Sequence, residues 1–180
     1  TTLFRSLVPI GTATASSTFV NSPTALIKDA KGDYHYQAPN PSSGGSGTSW
    51  YTSAPGSSNV WLIFDFAQAE AIDELILWDY YHHSPSGWRL ELFSGASATG
   101  TTLLSHDFSI SPGTSGTSTR HVIDLLNTFG VQSARLTSLN NSAQGVGLSE
   151  VAFLRWVPEP GTFFLAALGL RNPKAGEISA

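Results

Sequence analysis

Aromatic, histidine and carboxylate side chains are concentrated in the segment 78–89, which reads Trp-Asp-Tyr-Tyr-His-His-Ser-Pro-Ser-Gly-Trp-Arg. Aromatic rings stack on the apolar C–H face of a sugar, whereas imidazole and guanidinium groups hydrogen-bond its hydroxyls. The Ser-Pro-Ser-Gly sequence is typical of a turn between two strands. The segment therefore predicts a glycan site at the rim of a loop, with Tyr80, His82, His83 and Arg89 as ligand-binding residues; alternatively, its polar side chains, including both histidines, only face water.

The same segment is also compatible with catalysis or with a transition metal. In a small secreted hydrolase acting on an ester, lactone or glycan, His82 and His83 would act together with Asp79. Adjacent strand residues point to opposite faces, so both histidines reach one metal ion only if the chain turns there. The chain has no Gly-x-Ser-x-Gly nucleophile motif, and His106 and His121 lie in strand patterns that favour a structural role.

The two tryptophans of this segment are expected to be core residues, because large aromatic side chains are usually buried. Trp88 begins the alternating sequence Trp-Arg-Leu-Glu-Leu, which is typical of a half-buried strand. Trp88, Leu90 and Leu92 then share the inner face, while the two charged residues between them face solvent. Trp78 ends the preceding apolar segment.

Short apolar segments recur along the chain, separated by residues that favour turns. The 180 residues include 17 Gly and 10 Pro, and only 12% are charged, a composition typical of short strands. Residues 39–58 are predicted to form a long surface loop, too polar to form a core by itself and pinned by Trp50 and Tyr51. Strands are predicted at 13–20, 60–66, 72–81, 88–93, 102–108, 120–125, 132–139 and 148–156. About eight strands without helical periodicity predict an all-β antiparallel sandwich.

Four motifs follow one another in a characteristic order. They are an Asp-containing turn at 26–33, Thr-Ser-Trp at 48–50, an apolar strand with Asp at 61–66, and a closing strand with Glu at 147–153. In this order they resemble the discoidin or coagulation factor type C family, over Ala13 to Trp156. The resemblance implies a galactose-binding-like jelly-roll domain at 1–156 that binds ligands through loops at one end. Asp65, inside its strand, is expected to be a structural hydrogen-bonding carboxylate.

The resemblance also implies a structural calcium ion and further ligand-binding residues. The calcium ligands would be Asp29, Asp33, Thr48 and Glu150, which offer hard oxygen atoms. Alternatively, Asp29 and Asp33 only form turns and Glu150 faces solvent. Calcium is favoured because a carboxylate within an apolar strand is costly without a partner. The early loop and the loop before the last strand would add Tyr34, His35, Tyr36, Asn140, Asn141 and Gln144 to the ligand site.

The sequence Val-Pro-Glu-Pro-Gly-Thr at 157–162 is followed at once by the apolar run Phe163–Leu170. This arrangement resembles the PEP-CTERM sorting signal of exported bacterial proteins. It implies a tail at 157–180 that contacts a membrane or sorting machinery, on a protein secreted by, or bound to the surface of, a Gram-negative bacterium. The run is too short to span a bilayer, which needs about 20 apolar residues. The N-terminus lacks a signal-peptide pattern, so a leader is expected to have been removed.

Composition narrows the function further. The chain contains 9 Lys and Arg residues and 13 Asp and Glu residues, so its net charge is −4. This charge argues against nucleic-acid binding through a basic patch. Without cysteine there are no disulfides or thiolate metal ligands. The leading hypothesis is a non-catalytic, calcium-stabilised carbohydrate-binding module of an exported surface or matrix protein, with a glycan or exopolysaccharide as partner. The alternatives are the secreted hydrolase and a structural surface protein without a small ligand.

Overall fold

A computed structural model describes the protein over residues 4–16, 50–52, 59–80, 84–113, 119–140 and 145–157. Every strand pairing in these ranges is antiparallel, which confirms the predicted all-β fold. No helix in them could cross a membrane. The strands are β1 (Phe4–Leu7), β2 (Ile10–Ala15), β3 (Trp50–Thr52), β4 (Trp61–Asp79), β5 (Gly87–Gly95), β6 (Thr99–Ser109), β7 (Arg120–Ser138) and β8 (Val146–Val157).

Strands β4 and β7 are long, and they pair with each other from end to end. Trp61 lies opposite Thr137, and Trp78 lies opposite Arg120. Between Asp65 and Glu74 the register shifts repeatedly, which marks the place where both strands bend together. The sequence predicts two separate strands in each of these stretches, and this is wrong, because the polar residues that look like loops lie in bends of continuous strands.

The bends divide the sheet into two layers. In layer one, the first half of β4 pairs with β2 and with the second half of β7, followed by β5 and the edge strand β6. In layer two, the second half of β4 lies between the first half of β7 and β8, whose other side pairs with β1 and β3. The rings of Phe64 and Phe66 meet Phe153 edge to face, at centroid distances of 5.6 and 5.2 Å. The predicted sandwich is therefore formed by one sheet folded over itself.

Alternating side chains fill the space between the layers. In β5, Trp88, Leu90 and Leu92 are completely buried, which confirms the predicted inner face. Trp50 is also completely buried and lies opposite Leu148. The predicted pinning of residues 39–58 is thus confirmed for Trp50. A tryptophan in an otherwise polar stretch buries enough apolar surface to hold the short strand β3 against β8.

The outer face of layer two is buried as well. Ile76 and Trp78 of β4 form a second apolar cluster with Ala152 and Leu154 of β8. The expected core position of Trp78 is therefore confirmed, although it lies on the outer and not the inner face. Strand β8 is consequently buried on both sides, which explains its nearly continuous apolar sequence.

The folding of β4 and β7 gives the sandwich two different ends. Each strand starts at one end, bends at the other and returns, so segments 80–86, 110–119 and 139–145 all connect strands at the same end, here called the loop end. The opposite end, the bend end, contains both bends, the β5–β6 turn and Val157 at the end of β8.

Two arginines fasten the bend of β4. Arg155 of β8 forms an ion pair with Glu70, and Arg5 of β1 forms one with Glu74. Asp73 lies beside Arg5, with 3.6 Å between Nε and Oδ2, but neither of its buried oxygens accepts a hydrogen bond within the described ranges. Burial raises the pKa of Asp73, and the charge of Arg5 only partly opposes this effect.

Replacing Asp73 by asparagine removes this buried charge and keeps the side-chain shape. Because the pKa of Asp73 is higher in the folded chain, the folded state binds its proton more tightly, and Asp73 destabilises the fold as the pH rises through that pKa. We expect Asp73→Asn to raise the free energy of unfolding at neutral pH. The gain should shrink as the pH falls toward about 4, where the unfolded carboxyl is also protonated. Urea denaturation across this pH range measures the effect.

Asp107→Asn is the matched control. The guanidinium of Arg89 hydrogen-bonds Asp107 and lowers the pKa of that carboxyl, so Asp107 stabilises the fold at neutral pH and this contribution is lost as the pH falls through the lowered pKa. The two substitutions should therefore act in opposite directions. A lower stability of Asp73→Asn at neutral pH would contradict the assignment.

Candidate ligand-binding site

Three loops at the loop end are fastened to one another through their bases. The backbone amide of Ile110 donates to the carbonyl of Ser86 at 2.8 Å, and that of Leu139 donates to the carbonyl of Gly87 at 2.9 Å. The amide of Asp79 donates to the carbonyl of Thr119 at 3.1 Å. The described ends of segments 80–86, 110–119 and 139–145 therefore form one connected base.

The carboxylate of Asp79 anchors the loop 110–119. Its two oxygens accept hydrogen bonds from the backbone amides of Gly113 and Thr119, at 2.7 and 2.9 Å. Nε2 of His121 lies 3.1 Å from Oδ2. Asp79 is completely buried, and a buried carboxylate that holds backbone amides on both sides of a loop acts as a structural anchor. The hydrolase alternative assigns chemistry to Asp79, but in this position it holds the loop.

Ser84 connects the loop 80–86 to β8. Its hydroxyl accepts a hydrogen bond from the amide of Tyr80 at 2.7 Å and donates one to the carbonyl of Gly147 at 2.5 Å. Ser149 donates to the carbonyl of Asp79 at 2.8 Å. The ring of Tyr80 lies so close to Gly147 that a Cβ at this glycine would come within 3.1 Å of Cδ1. Glycine is therefore needed here to let Tyr80 pack onto the start of β8.

Asn140 holds the turn that leads into β5. Its Oδ1 accepts a hydrogen bond from the amide of Gly87, and its Nδ2 donates to the hydroxyl of Ser86, both at 3.0 Å. The sequence predicts that Asn140 hydrogen-bonds a sugar. The structure instead places both ends of its amide group in contacts that shape the site.

Arg89 lies apart from these loops. It is on the outer face of layer one, where Nε and Nη2 donate to the two carboxylate oxygens of Asp107 at 2.6 and 2.8 Å. This bidentate contact directs the guanidinium toward β6. Asp65 is equally engaged, since it accepts hydrogen bonds from the amide of Ser97 and the hydroxyl of Thr12 at the bend end.

Most of the predicted ligand-binding and metal-binding residues lie outside the described ranges. Glu150 is described, and it is only 3% exposed on the outer face of layer two, opposite Trp78 in the register. Within the described ranges no group of three or more His, Asp or Glu residues is arranged to hold a metal ion. The residues not described are Asp29, Asp33, Tyr34, His35, Tyr36, Thr48, His82, His83, Asn141 and Gln144.

The sequence does not reveal the residues that connect the loops. Ser84, Ser86 and Ser149 look like ordinary turn or strand serines, because the partners that connect them to other segments are Asn140 and the backbone carbonyls of Gly147 and Asp79, all distant in the chain. The one available signal is Asp79 itself. A carboxylate at the end of a long apolar strand is buried only where several donors surround it.

The chain matches no protein-family model and no curated protein. Among solved structures it is similar to a truncated AlyQ with CBM32 and alginate lyase domains, with a TM-score of 0.60 and 21% identity over 88% of this chain. It is also similar to the CBM32 of AlyQ in complex with 4,5-unsaturated mannuronic acid (TM-score 0.57, 22% identity, 82% of this chain and 96% of that one). The family 32 CBM of NanJ from C. perfringens, in complex with galactose, has a TM-score of 0.60 at 9% identity, over 84% of this chain and all of that one.

The chain has the fold of the family 32 carbohydrate-binding modules. This likeness confirms the galactose-binding-like β-sandwich that the discoidin resemblance implies. This chain spans nearly the whole length of the two isolated modules. It spans only 35% of the truncated AlyQ, which also contains an alginate lyase domain.

The substitution Asp79→Asn tests whether the carboxylate of Asp79 holds the loop 110–119 in place. The variant loses the charge of a carboxylate that holds two backbone amides. Because a hydrogen bond to a charged group contributes about 2 kcal/mol, we expect the free energy of unfolding to fall by roughly that amount or more. Amide hydrogen exchange should quicken at Gly113 and Thr119.

Asp65→Asn is the control for this experiment, since Asp65 also holds a backbone amide but at the bend end. It should leave the exchange of Gly113 and Thr119 unchanged. If Asp79→Asn leaves those two amides as protected as before, Asp79 does not anchor the loop.

Proposed function

We propose that the protein is a non-catalytic carbohydrate-binding module that binds a glycan at the loop end. The observation that carries this proposal is the convergence of three loops on one hydrogen-bonded base around the buried Asp79. A pre-organised base lowers the entropy cost of ordering loops around a ligand. The similar modules of AlyQ and NanJ are complexed with a mannuronic acid derivative and with galactose, which supports a sugar as the ligand class.

Two of the segments that carry residues predicted for sugar contact start from this base. Residues 81–83 lie between Tyr80 and Ser84, and residues 141–144 lie between Asn140 and Gly145, so both segments are attached at the loop end. In the proposal, His82, His83, Asn141 and Gln144 contact the glycan, together with Tyr34, His35 and Tyr36. Tyr80 and Asn140 support the loops from below.

The proposed module belongs to an exported protein, on the surface or in the extracellular matrix of a Gram-negative bacterium. The Pro-Glu-Pro motif and the apolar run of the tail at 157–180 support export. An exopolysaccharide is the glycan that such a location makes available. Strand β8 ends with Val157 at the bend end, opposite the loop end at which the glycan is proposed to bind.

A panel of neutral and acidic glycans, including galactose and mannuronate oligomers, tests the proposal by calorimetry. We expect binding to one class and no turnover of glycoside, ester or lactone substrates in the same samples. His82→Ala should weaken binding about tenfold through the loss of a hydrogen bond to the sugar. The melting temperature of this variant should be unchanged.

Arg89→Ala is the matched control, because Arg89 is engaged with Asp107 on the outer face. It should bind the glycan as the parent chain does. If the parent chain turns over one of the substrates and His82→Ala does not, the protein is a hydrolase and not a binding module. A chain that neither binds nor turns over any of these compounds would fit the structural surface protein instead.

Calcium is part of the proposal as a stabilising ion. The ligands would be Glu150 together with Asp29, Asp33 and Thr48, and the burial of Glu150 supports this choice, because a buried carboxylate is stabilised by a cation. The ion would order the early loop against β8 without taking part in chemistry.

Thermal unfolding with calcium and with chelator tests the ion. At a calcium concentration of about 100 times the dissociation constant, the expected stabilisation is about 2.7 kcal/mol. Glu150→Gln should abolish the response to calcium, whereas Glu91→Gln, which changes a carboxylate paired with Arg135 on the outer face of layer one, should keep it. An equal response in all three chains would remove Glu150 from the ligand set.

A further inference from the structure

The bend of β7 displays two large apolar side chains. Leu126 is 88% exposed and Phe129 is 71% exposed, more than any other large hydrophobic residue in the described ranges. Together with Asn127 and Thr128 they form the tip of the bend end, here called the bend tip. Burying these two side chains would be favourable, but nothing in the described part of the fold covers them.

The backbone of the bend tip is held in an unfavourable conformation. Leu126 and Asn127 have φ angles of 53° and 47°, in the left-handed region that residues other than glycine rarely adopt. The amide of Leu126 and the carboxylate of Asp124 are 3.4 Å apart. The fold therefore keeps Leu126 in a costly conformation without burying it.

The chemistry of the bend tip fits an apolar and uncharged partner. Residues 125–134 read Leu-Leu-Asn-Thr-Phe-Gly-Val-Gln-Ser-Ala and contain no charged side chain. The nearby arginines, Arg5 and Arg155, are already paired with the carboxylates of Glu74 and Glu70. A convex tip with two apolar side chains suits the boundary between headgroups and acyl chains of a bilayer, where no rigid surface has to match it.

The position of the bend tip relative to the end of β8 supports the same partner. Glu74 lies opposite both Leu154 of β8 and Asp124 of β7, so these two strands are about 10 Å apart at this level. From there β7 continues to Leu126 and β8 continues to Val157 in the same direction. Val157, the last described residue of β8, thus lies at the same end of the fold as the bend tip.

A second apolar segment follows in the sequence. Phe163, the first residue of the run Phe163–Leu170, comes six residues after Val157. Six residues extend over at most about 20 Å, so this run and the bend tip can reach a common surface. The run is too short to span a bilayer by itself, and two weak apolar attachments bind a membrane far better than one.

We propose that the bend end faces a lipid surface, with Leu126 and Phe129 inserted at the interface. The attachment is hydrophobic and does not require anionic lipid, because the bend tip carries no free cation and the charged group beside it, Asp124, is a carboxylate. It leaves the loop end directed away from the membrane. This assignment is independent of the ligand at the loop end.

Site-specific labelling measures the insertion directly. The chain contains no cysteine, so Phe129→Cys in the full chain provides a unique position for an environment-sensitive dye such as NBD. Phosphatidylcholine vesicles should shift its emission to the blue and increase its intensity. Leu139→Cys at the loop end, which is also partly exposed, is the control and should not respond. A dye at 129 that does not respond to vesicles would overturn the proposal.

Vesicle flotation of the full chain gives the contribution of the tip. The double substitution L126S/F129S should lower the vesicle affinity about tenfold or more, since it removes two insertable side chains. L103S/V122S, which changes partly exposed apolar residues elsewhere, should have little effect. Unchanged melting temperatures would show that both variants fold.

Three results would contradict the proposal. One is an affinity that L126S/F129S does not change, and another is binding that appears only with anionic phosphatidylglycerol. The third is a parent chain that ignores vesicles but forms dimers that L126S/F129S abolishes, which would make the bend tip a contact between two copies of the chain.

Discussion

The antiparallel pairing of β4 with β7 along their whole length is the constraint on which the rest of the fold depends. Because the two strands are bonded to each other through the bend, neither can fold over without the other. The bend places both layers face to face and brings Phe64 and Phe66 onto Phe153. Every other strand is added to a free side of this pair or to a neighbour of it, so the order of the sheet follows from it.

The two ends of the sandwich are stabilised by different polar interactions, ion pairs at the bend end and hydrogen bonds from backbone amides to a carboxylate at the loop end. At the bend end, arginines from β1 and β8 neutralise acidic residues where β4 changes layers and its regular pairing is interrupted. At the loop end, the carboxylate of Asp79 accepts hydrogen bonds from two backbone amides of a neighbouring loop. The arginines thus neutralise charge in an irregular part of the sheet, whereas Asp79 fixes the base of a loop through its backbone.

A feature of the fold could be predicted from the sequence when the residues that determine it are neighbours in the chain. It could not be predicted when those residues are far apart. Period-two alternation fixed the inner face of β5, because the residues that define it are neighbours in the chain. The continuity of β4 and β7 could not be read in this way, since the polar residues around Gln68 and Asn127 look the same in a bend and in a loop. Strands β1 and β3 are too short to show a period.

For the described residues of the candidate site, the sequence shows the chemical type of a side chain but not its role. Asn140 and Arg89 have the chemistry to bind a sugar, and sequence shows this chemistry correctly. Whether such a group is available depends on partners that lie far away in the chain, such as the amide of Gly87 or the carboxylate of Asp107. Backbone donors carry no side-chain signature, so the role of Asp79 as an anchor is visible only in three dimensions.

Phe4 and Val157 are paired neighbours at the two limits of the described fold, and this has a mechanical consequence. A pulling force applied between these two positions acts in the unzipping geometry, in which the hydrogen bonds between β1 and β8 break one after another at low force. A force applied between the loop end and Val157 acts along β4 and β8, so it loads their hydrogen bonds in shear and all at once. The same sandwich is therefore weak against one direction of load and strong against the other.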